Sequence, residues 1–234
     1  MKMKNIASYW DKQSVLWREE KEEAWNTPVM NRWVDFFRSL RTQEIHMGNK
    51  MLEIGTASGY FANIITKAEF DVTAIDLSPQ MIREAEAVSN QLKLSVNYKI
   101  MDAQQLTFAD GEFDFIFTRL MTWTIPDLLK CYQEAFRVLK PGGVFLNFDG
   151  DFGQTIFTQE GHERYPAAIM EEANTIKSKL DISKYKRPEK DIELLQKAGF
   201  STIRTDWKTQ QYIETGKDDA DSTLFYIHAI KTVQ

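Results

Sequence analysis

The stretch Met51-Leu52-Glu53-Ile54-Gly55-Thr56-Ala57-Ser58-Gly59-Tyr60 constrains the fold more than any other part of the chain. A short apolar strand ends in the acidic Glu53, runs into a turn of small residues and opens a helix at Tyr60-Phe61-Ala62-Asn63-Ile64-Ile65. Small side chains let backbone N–H groups and a helix N-terminus come close to a ligand. Alone, the pattern is common to many nucleotide-binding folds. It gains weight from Asp71-Val72-Thr73-Ala74-Ile75-Asp76, which reads as a second strand ending in a carboxylate 21 residues after Gly55. A carboxylate at that point typically accepts hydrogen bonds from ribose hydroxyls.

Two cofactor classes fit this layout, a nicotinamide dinucleotide and S-adenosylmethionine (SAM). In the dinucleotide fingerprint the second glycine lets the backbone touch a pyrophosphate. Here Ala57 stands in that place, and its methyl group would press on the phosphate. SAM has no phosphate and tolerates the methyl better, so the spacing argues modestly for SAM.

The remainder of the first two-thirds continues the alternation. Val96 to Ala103 reads as a third strand ending in Asp102-Ala103, and Phe113 to Arg119 as a fourth. Val138-Leu139-Lys140-Pro141-Gly142-Gly143 is a turn before a fifth strand, Val144 to Phe148. This ordered series resembles the class I SAM-dependent methyltransferases, in particular their "type 11" small-molecule branch. The resemblance covers residues 45–150. Glu53-x-Gly55, Asp76, Asp102-Ala103 and the Leu139 to Gly143 turn carry it, and Ala57 departs from it where the family usually has glycine. It implies an α/β fold with a Rossmann-like seven-stranded sheet in the order 3-2-1-4-5-7-6. Strand seven would be antiparallel, with helices on both faces and a helical cap at the N-terminus.

Composition narrows the function classes. The net charge of −5 gives no general basic face for nucleic acid. No apolar run approaches the roughly 18–20 residues of a membrane span. Met1-Lys2-Met3-Lys4-Asn5 leads into no apolar leader core, and the single cysteine, Cys131, excludes an internal disulfide. Cys131 sits at helical spacing in Leu128 to Tyr132 and reads as a small core residue. The expectation is a cytoplasmic protein, monomer or homodimer, with a small-molecule partner and no metal. Lys177, Lys179, Lys184, Lys186, Arg187 and Lys190 form one basic cluster, interrupted by Asp181 and Glu189, and read as a solvated face.

Residues 1–46 precede the first strand and are expected to form a helical cap. Thr27-Pro28 marks a helix start, followed by Val29, Trp33, Phe36, Phe37 and Leu40 at helical spacing. Trp10, Trp17, Trp25 and Trp33 place four of six tryptophans in this segment, as the cap's apolar face, as walls over a cofactor mouth, or both. Residues 47–234 form the cofactor-binding domain, with an insertion at about 150–188 contributing to the substrate pocket. Within it Ser78-Pro79 and Asp127 start helices, a helical stretch lies around Tyr165 to Leu180, and another runs from Glu189 to Ala198. Strands over Thr202–Trp207 and Leu224–Lys231 follow, joined by a polar turn at Gly216-Lys217-Asp218-Asp219.

Ligands of open α/β sheets lie beyond the carboxyl ends of the strands. The resemblance implies that Glu53 and the turn with Gly55, Thr56, Ala57 and Gly59 position the amino acid tail of SAM. Asp76 would hold the ribose and Asp102-Ala103 would face the adenine, while Leu77 and Arg119 complete the cofactor set. Singly, Asp76 and Asp102 are equally readable as turn carboxylates. Methyl transfer from a sulfonium needs alignment, and a base only where the nucleophile carries a proton. Candidate catalytic groups are Asp149 and His162; candidate substrate contacts are Trp10, Trp123, Asn147 and Asp151. Asp149 also reads as a turn carboxylate and His162 as an exposed helix residue. Carboxylates beside aromatic rings suit an amine- or thiol-bearing acceptor, against which the basic segment 177–190 argues. The leading reading is methyl transfer from SAM to a small molecule. A SAM-binding sensor or partner subunit without transferase activity is the alternative. A nicotinamide-dependent oxidoreductase is disfavoured by Ala57 and the Pro141-Gly142-Gly143 turn.

Overall fold

The computed structural model describes residues 3–44, 47–160, 163–217 and 222–232. One seven-stranded sheet organises them, in the order β3-β2-β1-β4-β5-β7-β6. Its strands are β1 (Lys50–Ile54), β2 (Asp71–Asp76), β3 (Asn97–Ile100), β4 (Phe113–Arg119), β5 (Leu139–Gly150), β6 (Thr202–Asp206) and β7 (Leu224–Ile230). β1 to β5 pair in parallel, whereas β7 runs antiparallel to both β5 and β6. The expected order and the antiparallel strand are both present.

Alternation along the strands makes two apolar faces. Leu52, Ile54, Ile116 and Phe145 point into one core, beneath α6 (Leu128–Val138) and α8 (Glu189–Ala198). Met51, Phe115, Phe117 and Phe148 point into the other, beneath α3 (Pro28–Gln43) and α4 (Tyr60–Lys67). Start signals act where the sequence placed them. The hydroxyl of Thr27 accepts from Met30 N at 3.3 Å, Ser78 caps α5 (Pro79–Leu92) from Met81 N at 3.1 Å, and Asp127 caps α6 from Lys130 N at 3.0 Å.

The N-terminal segment is two structures. α3 is buried in the sheet, with Trp33 and Phe37 no more than 1% exposed. α1 (Met3–Asp11) and α2 (Ser14–Glu23) instead lie over the carboxyl ends of the strands. The hinge between them docks through Asp11, whose Oδ1 accepts from Ser78 Oγ at 2.5 Å and Gln80 N at 3.1 Å at the start of α5.

Several sequence expectations need correction. No direct turn joins the last two strands, because α9 (Lys208–Thr215) stands between them. Asp206 caps it, its Oδ1 accepting from Lys208 N at 2.9 Å and Thr209 N at 2.7 Å. Gly216, at φ 73°, ends the helix, while Asp218 and Asp219 lie outside the described residues. β5 begins at Leu139 and runs through the glycine pair, because Gly142 N donates to Lys231 O at 2.6 Å and Gly143 O accepts from Lys231 N at 2.9 Å. The insertion carries α7 (Ala167–Ser178), shorter than the expected Tyr165–Leu180. Its basic cluster is not wholly solvated: Lys177 is 5% and Arg187 2% exposed. Cys131 is a core residue as expected, and burial pushes its thiol up to about 12. Among the described residues no helix is long and apolar enough to cross a membrane, and no acidic, histidine or cysteine cluster could hold a metal.

Candidate functional site

At the carboxyl ends of β1, β2 and β4 the chain encloses a cavity of about 80 Å³. Gly55 and Ala57 form its floor, Asp76 and Leu77 one wall, and Met101 and Ala103 another. The loop after β4 supplies Arg119, Leu120, Met121, Thr124 and Ile125, and Ile6, Trp10 and Trp17 form the roof. Gly55 sits at φ 78°, and a Cβ there would collide with Met121 Cγ. Ala57 takes φ 48°, a left-handed conformation that costs an L-residue roughly 1–2 kcal/mol. Its N–H donates to Asp76 Oδ2 at 2.9 Å, which holds the turn against that strain.

Asp76 is the best-prepared acceptor in the cavity. Its other oxygen accepts from Ser78 N at 2.9 Å, so the carboxylate is locked in place with lone pairs to spare. Burial raises its pKa to about 6 despite these bonds, and nearby Asp11 adds to the rise. Glu53 lies behind the floor, 2% exposed, accepting from Thr56 Oγ1 at 2.7 Å. Burial takes it to about 8, with the charge of Asp76 adding to the rise. Gly59 serves packing: at φ 80°, a Cβ on it would meet Tyr98 Oη at 2.5 Å and Ala85 Cβ at 2.9 Å. Asp102 turns to Gln104, accepting from its N at 2.8 Å and Nε2 at 3.0 Å, while Ala103 reaches the cavity.

Arg119 brings positive charge to a cavity whose other charged lining residue is Asp76. Its Nη2 donates to Glu214 Oε1 at 3.1 Å, and its guanidinium lies 5.3 Å from the Phe61 ring centre. Its Nε is buried with no hydrogen-bond partner, and burial lowers its pKa. An orphaned guanidinium donor at a cavity wall fits a ligand carboxylate. Asp76, which offers lone pairs, fits the hydroxyls of a SAM-like nucleoside.

A second cavity, about 170 Å³, adjoins the first and shares Trp10, Trp17 and Leu120 with it. Leu120 stands at the junction at φ 52°, a strained conformation for a bulky residue. Its N–H donates to Phe148 O at 2.8 Å and its carbonyl accepts from Trp123 Nε1 at 2.9 Å. Trp123, 8% exposed, lines this second chamber with Phe152 and Phe157.

Other expected substrate and catalytic residues are elsewhere. Asp149 is fully buried and faces neither cavity. It accepts from Thr122 Oγ1 and from Gly150 N at 2.8 Å, and lies 3.5 Å from Arg187 Nη1. Arg187 also pairs with Asp191 at 2.6 Å, and Tyr132 Oη donates to Asp191 Oδ1 at 2.6 Å. Asn147 is fully buried in the same network, its Nδ2 donating to Thr122 Oγ1 at 3.3 Å. Asp151 is exposed at the surface and lines neither chamber. His162 lies outside the described residues. The carboxylates expected beside the acceptor are therefore spent on Arg187 or on solvent.

Sequence reasoning missed Met81, Met101 and Met121 in the first cavity and Tyr9, Tyr165 and Met170 in the second. The cluster of early tryptophans was the one signal that pointed to the second.

Residues 52–147 match the family model for a methyltransferase domain. The chain is 33% identical over 101 residues to a malonyl-[acyl-carrier protein] O-methyltransferase of Serratia marcescens, covering 43% of this chain and 38% of that one. It is 28% identical over 194 residues to phosphoethanolamine N-methyltransferase 2 of Caenorhabditis elegans, covering 81% and 39%. The chain thus spans about two fifths of the length of these curated relatives. Its fold is similar to that of phosphoethanolamine N-methyltransferase 2 of Haemonchus contortus, solved with phosphomonomethylethanolamine and S-adenosylhomocysteine. That likeness has a TM-score of 0.57 at 22% identity, over 80% of this chain and 50% of the other.

Proposed function

This chain belongs to the class I SAM-dependent methyltransferases, and from that premise we propose that it transfers the methyl group of SAM to a small molecule held in the second chamber. One observation carries the reading. The cavity at the strand ends adjoins a second one across shared walls, Trp10, Trp17 and Leu120. A protein that only senses SAM needs no such annex. The two relatives differ in acceptor chemistry, a carrier-bound malonyl group and a phosphobase, so kinship leaves the acceptor open.

In this reading Asp76 accepts from the ribose hydroxyls and Arg119 receives the amino acid carboxylate, exchanging its contact with Glu214. Ala103 and Met101 pack against the base. Bound SAM supplies a methyl already activated on a sulfonium, so the protein's task is alignment, worth up to roughly 7–11 kcal/mol of barrier. Asp76 is the only carboxylate among the described residues lining the two cavities. Asp149 holds the loop after β4 through Thr122 and is a positioning residue in this scheme.

The first cavity is far below the roughly 300–1,000 Å³ of ligand pockets. We read α1 and α2 as a lid that moves to admit the cofactor and then excludes water, while α3 stays in the core.

Calorimetry with S-adenosylhomocysteine tests the cofactor assignment. Ionised Asp76 is the better acceptor, so affinity should rise as pH increases through about 6. Asp76→Ala removes two charge-assisted hydrogen bonds of roughly 1.5–3 kcal/mol each. It should weaken binding at least tenfold and abolish that rise. Equal affinities for wild type and variant would defeat the assignment.

A further inference from the structure

We propose that the second chamber takes an uncharged, planar aromatic molecule carrying the atom to be methylated; this deepens the methyl-transfer reading and rests on it. The walls are ring faces and edges contributed by separate parts of the chain: Trp10 and Trp17 from the lid, Trp123 from the loop after β4, and Phe152, Phe157 and Tyr165 from the insertion. Neighbouring rings meet nearly at right angles, 79° for Trp10 and Trp17, 71° for Trp10 and Trp123, and 72° for Trp123 and Phe157. Such a frame presents both faces and edges to a flat guest, which pairs with them by stacking and edge contacts.

Two polar tips of these walls are already engaged. Trp123 Nε1 donates to Leu120 O at 2.9 Å, and Tyr165 Oη donates to Glu20 Oε2 at 2.7 Å. No ionisable group other than tyrosine lines the chamber among the described residues, and Gln13 is its one amide, with Nε2 donating to Tyr9 O at 3.2 Å. A charged guest would lose its hydration without gaining a counter-ion.

Aromatic walls also suit a quaternary ammonium, and here the structure discriminates. Two of the rings already carry an ammonium. Lys21 Nζ lies 5.0 Å from the centre of Trp17, and Lys177 Nζ 4.7 Å from that of Phe157. Lys177 is buried, donates to Phe152 O at 2.7 Å, and has no carboxylate partner among the described residues. Lys21 is paired with Glu20 at 2.6 Å, so the like charge a cationic guest would meet is that of Lys177, with which it would also compete for the Phe157 ring. A neutral ring meets no such penalty.

The experiment is calorimetry on protein saturated with S-adenosylhomocysteine, titrated with 2-naphthol and separately with choline. The expected result is 2-naphthol binding at least tenfold tighter than choline. Trp123→Leu should lose tenfold or more of the 2-naphthol affinity while retaining that for S-adenosylhomocysteine, since Trp123 lies outside the cofactor cavity. Should that variant fail to fold, Phe157→Leu replaces it with the same expectation. Choline binding as tightly as 2-naphthol, or no 2-naphthol binding by protein that does hold S-adenosylhomocysteine, overturns the proposal and leaves the methyl-transfer reading standing. Failure of the wild type to bind S-adenosylhomocysteine overturns that reading itself.

Discussion

The two adjoining cavities are built in different ways. The first cavity is largely a product of backbone: strand ends, a turn of small residues, and one carboxylate pinned by the N–H groups of Ala57 and Ser78. The second chamber has no comparable backbone frame. Its walls are side chains from α1, α2, the loop after β4, and residues 152–173, brought together by packing. Backbone geometry is reproduced wherever the turn sequence recurs, whereas side-chain walls can be exchanged without disturbing the sheet. A methyltransferase fold can thus keep its donor and vary its acceptor. That division is open to experiment.

The strongest test attacks what both cavities share. The loop after β4 gives Thr124 to one and Trp123 to the other, and Thr122 ties it to Asp149 and Arg187. Arg187→Leu leaves two buried carboxylates without their counter-ion, a loss of about 3–5 kcal/mol in comparable pairs. Urea unfolding should show it, and binding in both cavities should weaken together. Loss in only one of them would mean that the loop does not couple them.

Asp11→Ala acts on the lid. It removes two hydrogen bonds to a carboxylate, of roughly 1.5–3 kcal/mol each when well desolvated. Amides of residues 3–23 should exchange faster while those of α3 stay protected. S-adenosylhomocysteine should slow exchange in the wild-type lid. Equal exchange in α3 and the lid would erase the distinction between them.

The smallest effect belongs to the turn. Ala57→Gly relieves the left-handed strain but loosens the unfolded chain, leaving a gain of up to about 1 kcal/mol. Thermal melting should move up slightly with S-adenosylhomocysteine affinity unchanged. A large loss of affinity would show that the methyl group of Ala57 itself contacts the nucleoside.

The strand order came from the resemblance to the class I methyltransferases; by itself the sequence determined the positions of β1, β2 and β4, the helix starts at Thr27, Ser78 and Asp127, and the line of residues from Gly55 to Ala103 around the first cavity. These follow from local rules: small residues at a turn, a cap before a helix, apolar alternation within a strand. Even α9 was within reach, since Asp206 caps Lys208 and Thr209 a few residues away. Only tertiary structure decided the roles of Asp149, Arg187 and Lys177. Asp149 looks like a free carboxylate at a strand end until the far end of the insertion delivers Arg187 to it, and Lys177 looks solvated until Phe157 and the carbonyl of Phe152 cover it. The side chains of the second chamber were equally hidden, because rings from residues 9 to 165 meet through packing that no local pattern encodes. A carboxylate's chemistry depends on the charge that reaches it, and that charge can come from anywhere along the chain.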